Sequence, residues 1–435
     1  MRRRLENYFQ FEQLRTNWRT EILAGMTTFV TMAYIIFVNP SILHEAGMPF
    51  KAVVAATCFC AAFGSIAMGA FARYPIALAP GMGLNAYFTY TVVKGMNVPW
   101  ETALGAVFLS GVAFLILTVI GIRQLILEAI PRELYAAVAA GIGLFIAVIG
   151  LRNSGIIVAS PATLVTLGNL RDKNTLVAMA GLLIIGALLV WRVQGAMLIG
   201  VLATSVLAAL CGLTHWSPET YSIADIAATA GKLNIRAAWS LGLLEIVFVF
   251  LFVDLFDNIG TLVGVGKKAN LFDDANRIPR IRQIMLADAS STIVGSLAGT
   301  STVVSYIESA AGVVAGGRSG VTSIVTGLLF LIALFVAPLV GAVPGAATAP
   351  ALIIVGSLMM SQVSEIRWSD PIVAIPAFLT LVTIPLTFSI ANGLAFGFTS
   401  YALLKLSRGE VRRDQWLVYV LAALFIARFI YLGTG

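Results

Sequence analysis

The stretch FVDLFDNIGT (252–261) places two carboxylates, Asp254 and Asp257, directly after the apolar run LLEIVFVFL and directly before LVGVG. On a helix, residues three apart are neighbours on one face, so Asp254, Asp257, Thr261 and Gly264 form a narrow polar stripe. A carboxylate at the centre of a bilayer costs about 2.5–3.5 kcal/mol even on insertion scales. Two in one stripe point to chemistry. An acid whose charge is disfavoured by burial and by a like neighbour exchanges a proton, while its partner accepts hydrogen bonds from a polar ligand. Asp254 is the candidate for both tasks and Asp257 for proton coupling, with a hydrated place at the helix end as the alternative for Asp257.

A third acid, Glu308, follows the hydroxyl-rich stretch GTSTVVSY (299–306). Ser305-x-x-Glu308 fits a capping box. The same position, beside a helix N-terminus inside the membrane, also suits a carboxylate that presents one oxygen to a ring N–H of a ligand and takes part in proton coupling. Asn85, after APGMGL, is the corresponding polar residue in the first half of the chain. If eight residues near AFARYPIA count as an insertion, the spacing from GSIA to Asn85 equals that from GSLA to Glu308, and the two are expected to face each other across a pseudo-two-fold axis. Support of a broken turn is the alternative role for Asn85. Tyr34, Phe88 and Tyr306 are candidates for stacking on a planar ligand. Asp288 reads as supporting the first turn of its helix, and Glu21, Glu101, Glu245 and Glu365 as lying near membrane boundaries.

Several chemistries are excluded. No GxxxxGK[ST], no GxGxxG after a strand and no HExxH occurs, and the Gly-rich AGVVAGGRSG (311–320) lacks the lysine of a phosphate loop. Cys58, Cys60 and Cys211 make no disulfide or metal framework, and His44 and His215 lie beyond the ends of apolar segments. No metal, no cofactor and no enzymatic nucleophile–base pair is expected.

The elements that position the acids follow from composition. Of 435 residues, 59% are hydrophobic and 11% charged, with a mean hydropathy of +0.93, far more apolar than a soluble domain. The chain reads as an all-α polytopic membrane protein. Apolar segments are expected at 22–43, 52–71, 76–93, 102–120, 133–150, 175–191 and 195–213, and again at 241–266, 281–298, 301–316, 319–341, 346–361, 371–388 and 390–406. Fourteen transmembrane segments then form two seven-segment repeats of opposite topology. The domain plan is a lead-in (1–21), a first repeat (22–213), an external connection (214–240), a second, inverted repeat (241–406) and a basic loop with a C-terminal hydrophobic segment (407–435), for which both a spanning and an interfacial place stay open. Arg2, Arg3, Arg4, Arg15 and Arg19 put the N-terminus in the cytoplasm, and 266–282 and 405–414 follow on the same side. The net charge of +7 is thereby explained by membrane topology, without nucleic acid. The third and tenth segments are short and broken, by PGMG (80–83) and by the β-branched run after Gly299. Irregular backbone at membrane depth is tolerated only beside protein or a water-filled cavity, and paired interruptions point to a midplane substrate site.

The blocks FVTMAYIIFVNPSIL (29–43), APGMGLNAYFTYTVV (79–93), FVDLFDNIGTLVGVG (252–266), ADASSTIVGSLAGTSTVVSYIESAAGVVAGGRSG (287–320) and PGAATAPALIIVGSLMM (344–360) together resemble the AzgA-type purine permeases of the xanthine/uracil permease superfamily of nucleobase–cation symporters. The resemblance runs from about residue 15 to 406. It implies a core domain (segments 1–4 and 8–11) and a gate domain (5–7 and 12–14), with short strands of segments 3 and 10 pairing at the centre. It also implies proton-coupled uptake of hypoxanthine, guanine or adenine at the plasma (inner) membrane, and homodimers as a common assembly. Carried over, Asp254 and Glu308 resemble the purine-contacting carboxylates, Asn85 their polar partner, and Asp257 the residue that shapes or protonates the site. The histidine that follows the segment-8 acid in related uracil permeases is absent.

The rival function is an anion transporter of the sulfate or bicarbonate kind on the same inverted-repeat architecture. Three central carboxylates argue against it. A membrane-embedded enzyme is the other rival, and it lacks a catalytic constellation in this sequence.

Overall fold

The computed structural model describes residues 2–121, 130–214, 222–240, 244–269, 278–335, 341, 343–410 and 415–431. His215 and parts of the two basic stretches, 270–277 and 411–414, lie outside them. The chain is mostly helical, and among the described residues six helices are long and apolar enough to cross a membrane, including Trp100–Ile120 and Arg132–Asn153. Shorter apolar helices, such as Ala196–Leu210 and Gly320–Ala333, complete the bundle.

Many of the expected apolar segments contain helices whose ends have local causes, while the end of 319–341 lies outside the described residues. The Asn17 side chain accepts from Thr20 N to start Trp18–Met32, Asp172 starts Lys173–Val190, and Asp370 with Pro371 starts Pro371–Thr387. Two departures matter for function. The first segment is broken at Ala33–Tyr34 into Trp18–Met32 and Ile35–His44, which sets Tyr34 at the start of the second piece. The second segment, Phe50–Ala67, ends in a π-helical turn, Met68–Ala72.

The broken third and tenth segments carry strands β1 (Leu78–Pro80) and β4 (Val303–Ser305), which pair antiparallel with Ala79 opposite Val304. β2 (Ile157–Ser160) and β3 (Leu164–Leu167) form a separate, exposed hairpin between the fifth and sixth segments. After β1 the chain runs into Met82–Ala86 and a π-helical stretch, Tyr87–Gly95; after β4 it enters the short helix Ser309–Val314. β1 and β4 are completely buried, so their backbone groups depend on each other and on neighbouring hydroxyls.

Glycines allow the close approaches that hold this centre. A Cβ on Gly312 would come within 2.0 Å of Thr28 Oγ1 and 2.6 Å of the Ala24 carbonyl, so Ser309–Val314 lies directly on Trp18–Met32. Gly299, at φ +100°, ends Ile281–Ala298 against Thr229, whose hydroxyl donates to the Ala298 carbonyl at 2.8 Å. This contact docks residues 222–240 of the connection onto the ninth segment.

The C-terminal segment takes a definite place. Helix Trp416–Tyr431 packs antiparallel along Ile390–Ser407, with Tyr401 near Gln415 at one end and Arg428 near Asn392 at the other.

Candidate functional site

The strand crossing is built the same way from both sides. The Ser65 hydroxyl accepts from Leu78 N (3.0 Å) and donates to Leu78 O (3.1 Å); the Thr292 hydroxyl accepts from Val303 N (3.3 Å) and donates to Val303 O (3.0 Å). Each strand's first residue thus has both backbone groups satisfied by a hydroxyl on the preceding helix. Ser65 therefore corresponds to Thr292, one turn away from the match of GSIA with GSLA. The same offset maps Gly81, the residue before Met82–Ala86, onto Glu308, the residue before Ser309–Val314. Asn85 lies a turn deeper into its helix and is not the counterpart of Glu308.

Asp254 is buried at 1% exposure on the helix Leu244–Ala269. Its Oδ1 accepts from Asn258 Nδ2 at 3.1 Å and its Oδ2 from the Thr292 hydroxyl at 3.4 Å. Asn258 Nδ2 also donates to Asp288 Oδ2, while its Oδ1 accepts from Ser305 N at 3.1 Å. One amide thus ties two aspartates on different helices to the last residue of β4. Asp288 is fully buried inside Ile281–Ala298 rather than supporting its first turn.

Asp257, nearly one turn beyond Asp254, is half-buried; the Glu308 carboxylate acts on it electrostatically, and both acids act on Tyr306. Glu308 makes no capping bond to its own helix. Its Oε1 instead accepts from the Tyr34 hydroxyl at 2.7 Å. The break at Ala33–Tyr34 aims that hydroxyl. Tyr306 is fixed in turn by donating from its hydroxyl to the Pro80 carbonyl on the opposite strand. The structure therefore groups Glu308 with Tyr34 and Tyr306, and the Glu308 carboxylate acts electrostatically on Asp257. Phe88 is fully buried against Phe250 instead.

Asn85 belongs to a neighbouring polar cluster. Its Oδ1 accepts from the Ser301 hydroxyl, and its Nδ2 is buried without a partner among the described residues. Beside it, Asn39 Nδ2 donates to Thr57 (2.8 Å) and Thr300 (3.0 Å). An unpartnered buried amide is costly unless a ligand or water completes it.

Sequence reasoning missed Asn258 and Asp288 as parts of the site, and for Tyr34 it foresaw stacking but not the hydrogen bond to Glu308. The recurrences Asp254/Asn258 and Asp288/Thr292, each four residues apart, were the available signal. Glu21 also proves to be internal. Fully buried, it accepts from Arg318 N, Ser319 N and the Thr322 and Thr16 hydroxyls, so its carboxylate caps the start of Gly320–Ala333. Among the described residues, no group of His, Cys, Asp and Glu could hold a metal ion.

A bundle of apolar helices enclosing broken segments and internal acids defines a polytopic membrane transporter. Residues 19–396 match the Permease family of xanthine/uracil type, and the chain belongs to that family. It is 53% identical over 430 residues to the permease-type protein MJ0326 of Methanocaldococcus jannaschii, covering 99% of each chain. It is 45% identical to the guanine/hypoxanthine permease PbuG of Bacillus subtilis (98% of this chain, 100% of the relative) and 43% to the adenine permease AdeP of Escherichia coli (99% and 97%). Among solved structures, the transmembrane domain of the cyanobacterial bicarbonate transporter BicA superposes with a TM-score of 0.67 at 14% identity, covering 86% of this chain and 97% of that one. That likeness concerns the fold alone.

Proposed function

We propose that the protein imports purine nucleobases, hypoxanthine, guanine or adenine, by proton symport across the plasma membrane. In this reading fourteen segments form two inverted repeats (22–213 and 241–406), the N-terminus is cytoplasmic, and a core of segments 1–4 and 8–11 moves against a gate of 5–7 and 12–14. The observation that carries it is the Tyr34 hydroxyl fixed on Glu308 at the crossing of the two broken segments, with the Asp257 carboxylate within electrostatic reach of Glu308. The named activities of PbuG and AdeP support the substrate class.

In this reading the acids take different roles. Glu308 and Asp257 accept the N–H groups of the base, and the free Nδ2 of Asn85 donates to a ring nitrogen or carbonyl. Asp254, expected from sequence at the base itself, acts through Asn258 on β4 and takes part in proton coupling from there. Protonation from outside lowers the cost of closing the acids into the protein. A proton driven by 100 mV supplies about 2.3 kcal/mol, enough for roughly a fifty-fold gradient of a neutral base.

The anion-transport reading shares the fold of BicA, but an anion placed between Asp257 and Glu308 would meet like charge. The test is uptake of labelled hypoxanthine in competition with guanine, adenine and sulfate, with and without an uncoupler. Purine competition and uncoupler sensitivity support the proposal; uptake displaced only by sulfate overturns it.

A further inference from the structure

The acid-bearing helix Leu244–Ala269 has two opposite faces. Asp254, Asn258 and Thr261 look toward the ninth segment and β4, while Glu245, Phe248, Phe252 and Leu255 recur at three- and four-residue spacing on the other side. That second face is covered by Ile390–Ser407 and by the C-terminal helix Trp416–Tyr431, which lies beyond the end of the family match at residue 396. Four rings interlock there. Phe252 meets Phe398 edge-on (5.5 Å), Phe425 stacks over Phe398 (6.5 Å), and Phe248 touches both Phe252 (5.4 Å) and Phe425 (6.1 Å). Phe252 is two residues from Asp254.

Above the rings, the Arg428 guanidinium joins three elements. Its Nε pairs with Glu245 Oε2 and its Nη1 donates to Asn392 Oδ1 at 3.2 Å, with the arginine and glutamate side chains only 17% and 15% exposed. The ion pair is incompletely satisfied, because Glu245 Oε1 is buried without a partner. Elsewhere the interface between the C-terminal and acid-bearing helices is unfilled. A wholly apolar cavity of about 80 Å³ lies among Leu117, Phe248, Phe252, Leu255, Leu417 and Leu421. Close packing throughout would mark a permanent joint; one polar clasp and a ring cluster beside a partly open apolar crevice mark two surfaces that can part.

We infer that Arg428 is a positioning residue for transport: through Glu245 and Asn392 it clasps the acid-bearing helix to Ile390–Ser407, and the clasp must release once in each transport cycle. The inference rests on the transport reading above, in which these two helices belong to the core and the gate. Removing one partner of a buried pair leaves the other charge uncompensated, whereas a clasp that cannot open stops the cycle.

The test uses the full chain in proteoliposomes. Arg428→Gln is expected to lower the maximal rate of hypoxanthine uptake about tenfold while KM stays within about twofold, since the residue touches no base. In a second variant, Cys211→Ser with Glu245→Cys and Arg428→Cys, a cleavable bis-maleimide links the two helices; the remaining Cys58 and Cys60 are buried. Linking is expected to abolish uptake and cleavage to restore it to the level of the unlinked variant, a recovery that a purely structural role would not produce. Wild-type uptake with an unaffected Arg428→Gln variant, or full turnover in the linked protein, overturns the clasp alone. Absence of purine uptake by the wild type overturns the transport reading and the clasp together.

Discussion

The Tyr34 hydroxyl donates to Glu308 Oε1 across 274 positions of sequence, linking the break in the first segment to the half-helix that follows β4. A hydrogen bond to a charged group contributes about 1.5–3 kcal/mol. It also fixes one carboxylate oxygen of Glu308 in place. Tyr34→Phe is expected to weaken base binding about tenfold or more while the fold persists, because the ring stays in place. Equilibrium binding of labelled hypoxanthine to the purified variant checks this.

The half-helix bearing Glu308 has no room to shift. Gly312→Ala puts a methyl group against Thr28 Oγ1 and the Ala24 carbonyl. The backbone carbonyl cannot move aside as a flexible side-chain end could, so Ser309–Val314 is expected to be displaced and overpacking to cost about 1–3 kcal/mol. Uptake should fall sharply and the melting temperature should drop. Gly260→Ala, on the acid-bearing helix with open space around it, should leave stability nearly unchanged.

Asn258 joins Asp254, Asp288 and β4 through a single amide. Asn258→Leu leaves both acids without their shared donor and Ser305 N without its acceptor, and each unsatisfied buried group costs about 1–3 kcal/mol or more when charged. The variant is expected to unfold well below the wild type in a thermal melt. Added hypoxanthine should raise its melting temperature less than that of the wild type, since β4 frames the base site.

The two strand-holding hydroxyls do the same work on opposite strands. Ser65→Ala and Thr292→Val each strip the first residue of one strand of both backbone partners, at about 1–3 kcal/mol for each group left unsatisfied. Thr292→Val should cost more, because it also removes a donor from Asp254. Thermal melts of the two variants and of the double variant check the ranking.

The helical layout was legible because hydrophobic runs and Pro/Gly breaks are local properties, and the pairing expected of segments 3 and 10 appears as β1 with β4. The acids were legible by their cost in an apolar setting. Their roles were not, because Asp254 and Asp257, only three residues apart, meet different neighbours. Asn258 decides which acid is tied to β4, and its amide is satisfied by residues 30 and 47 positions away. The capping pattern at Ser305 and Glu308 failed for a tertiary reason: Ser305 belongs to a strand, and Tyr34 claims the carboxylate. The C-terminal helix was ambiguous because Arg428 weighs against a span until Glu245 appears beside it.

The central claim is that Asp257 and Glu308 jointly carry the base and the coupled proton. Proteoliposomes holding wild type, Asp257→Asn or Glu308→Gln allow two readings on one preparation: accumulation of labelled hypoxanthine driven by an imposed proton gradient, and exchange of labelled for unlabelled base without one. The account predicts uncoupler-sensitive accumulation in the wild type, lost in both variants, with exchange weakened as base binding is weakened. Full gradient-driven accumulation in either variant would contradict it.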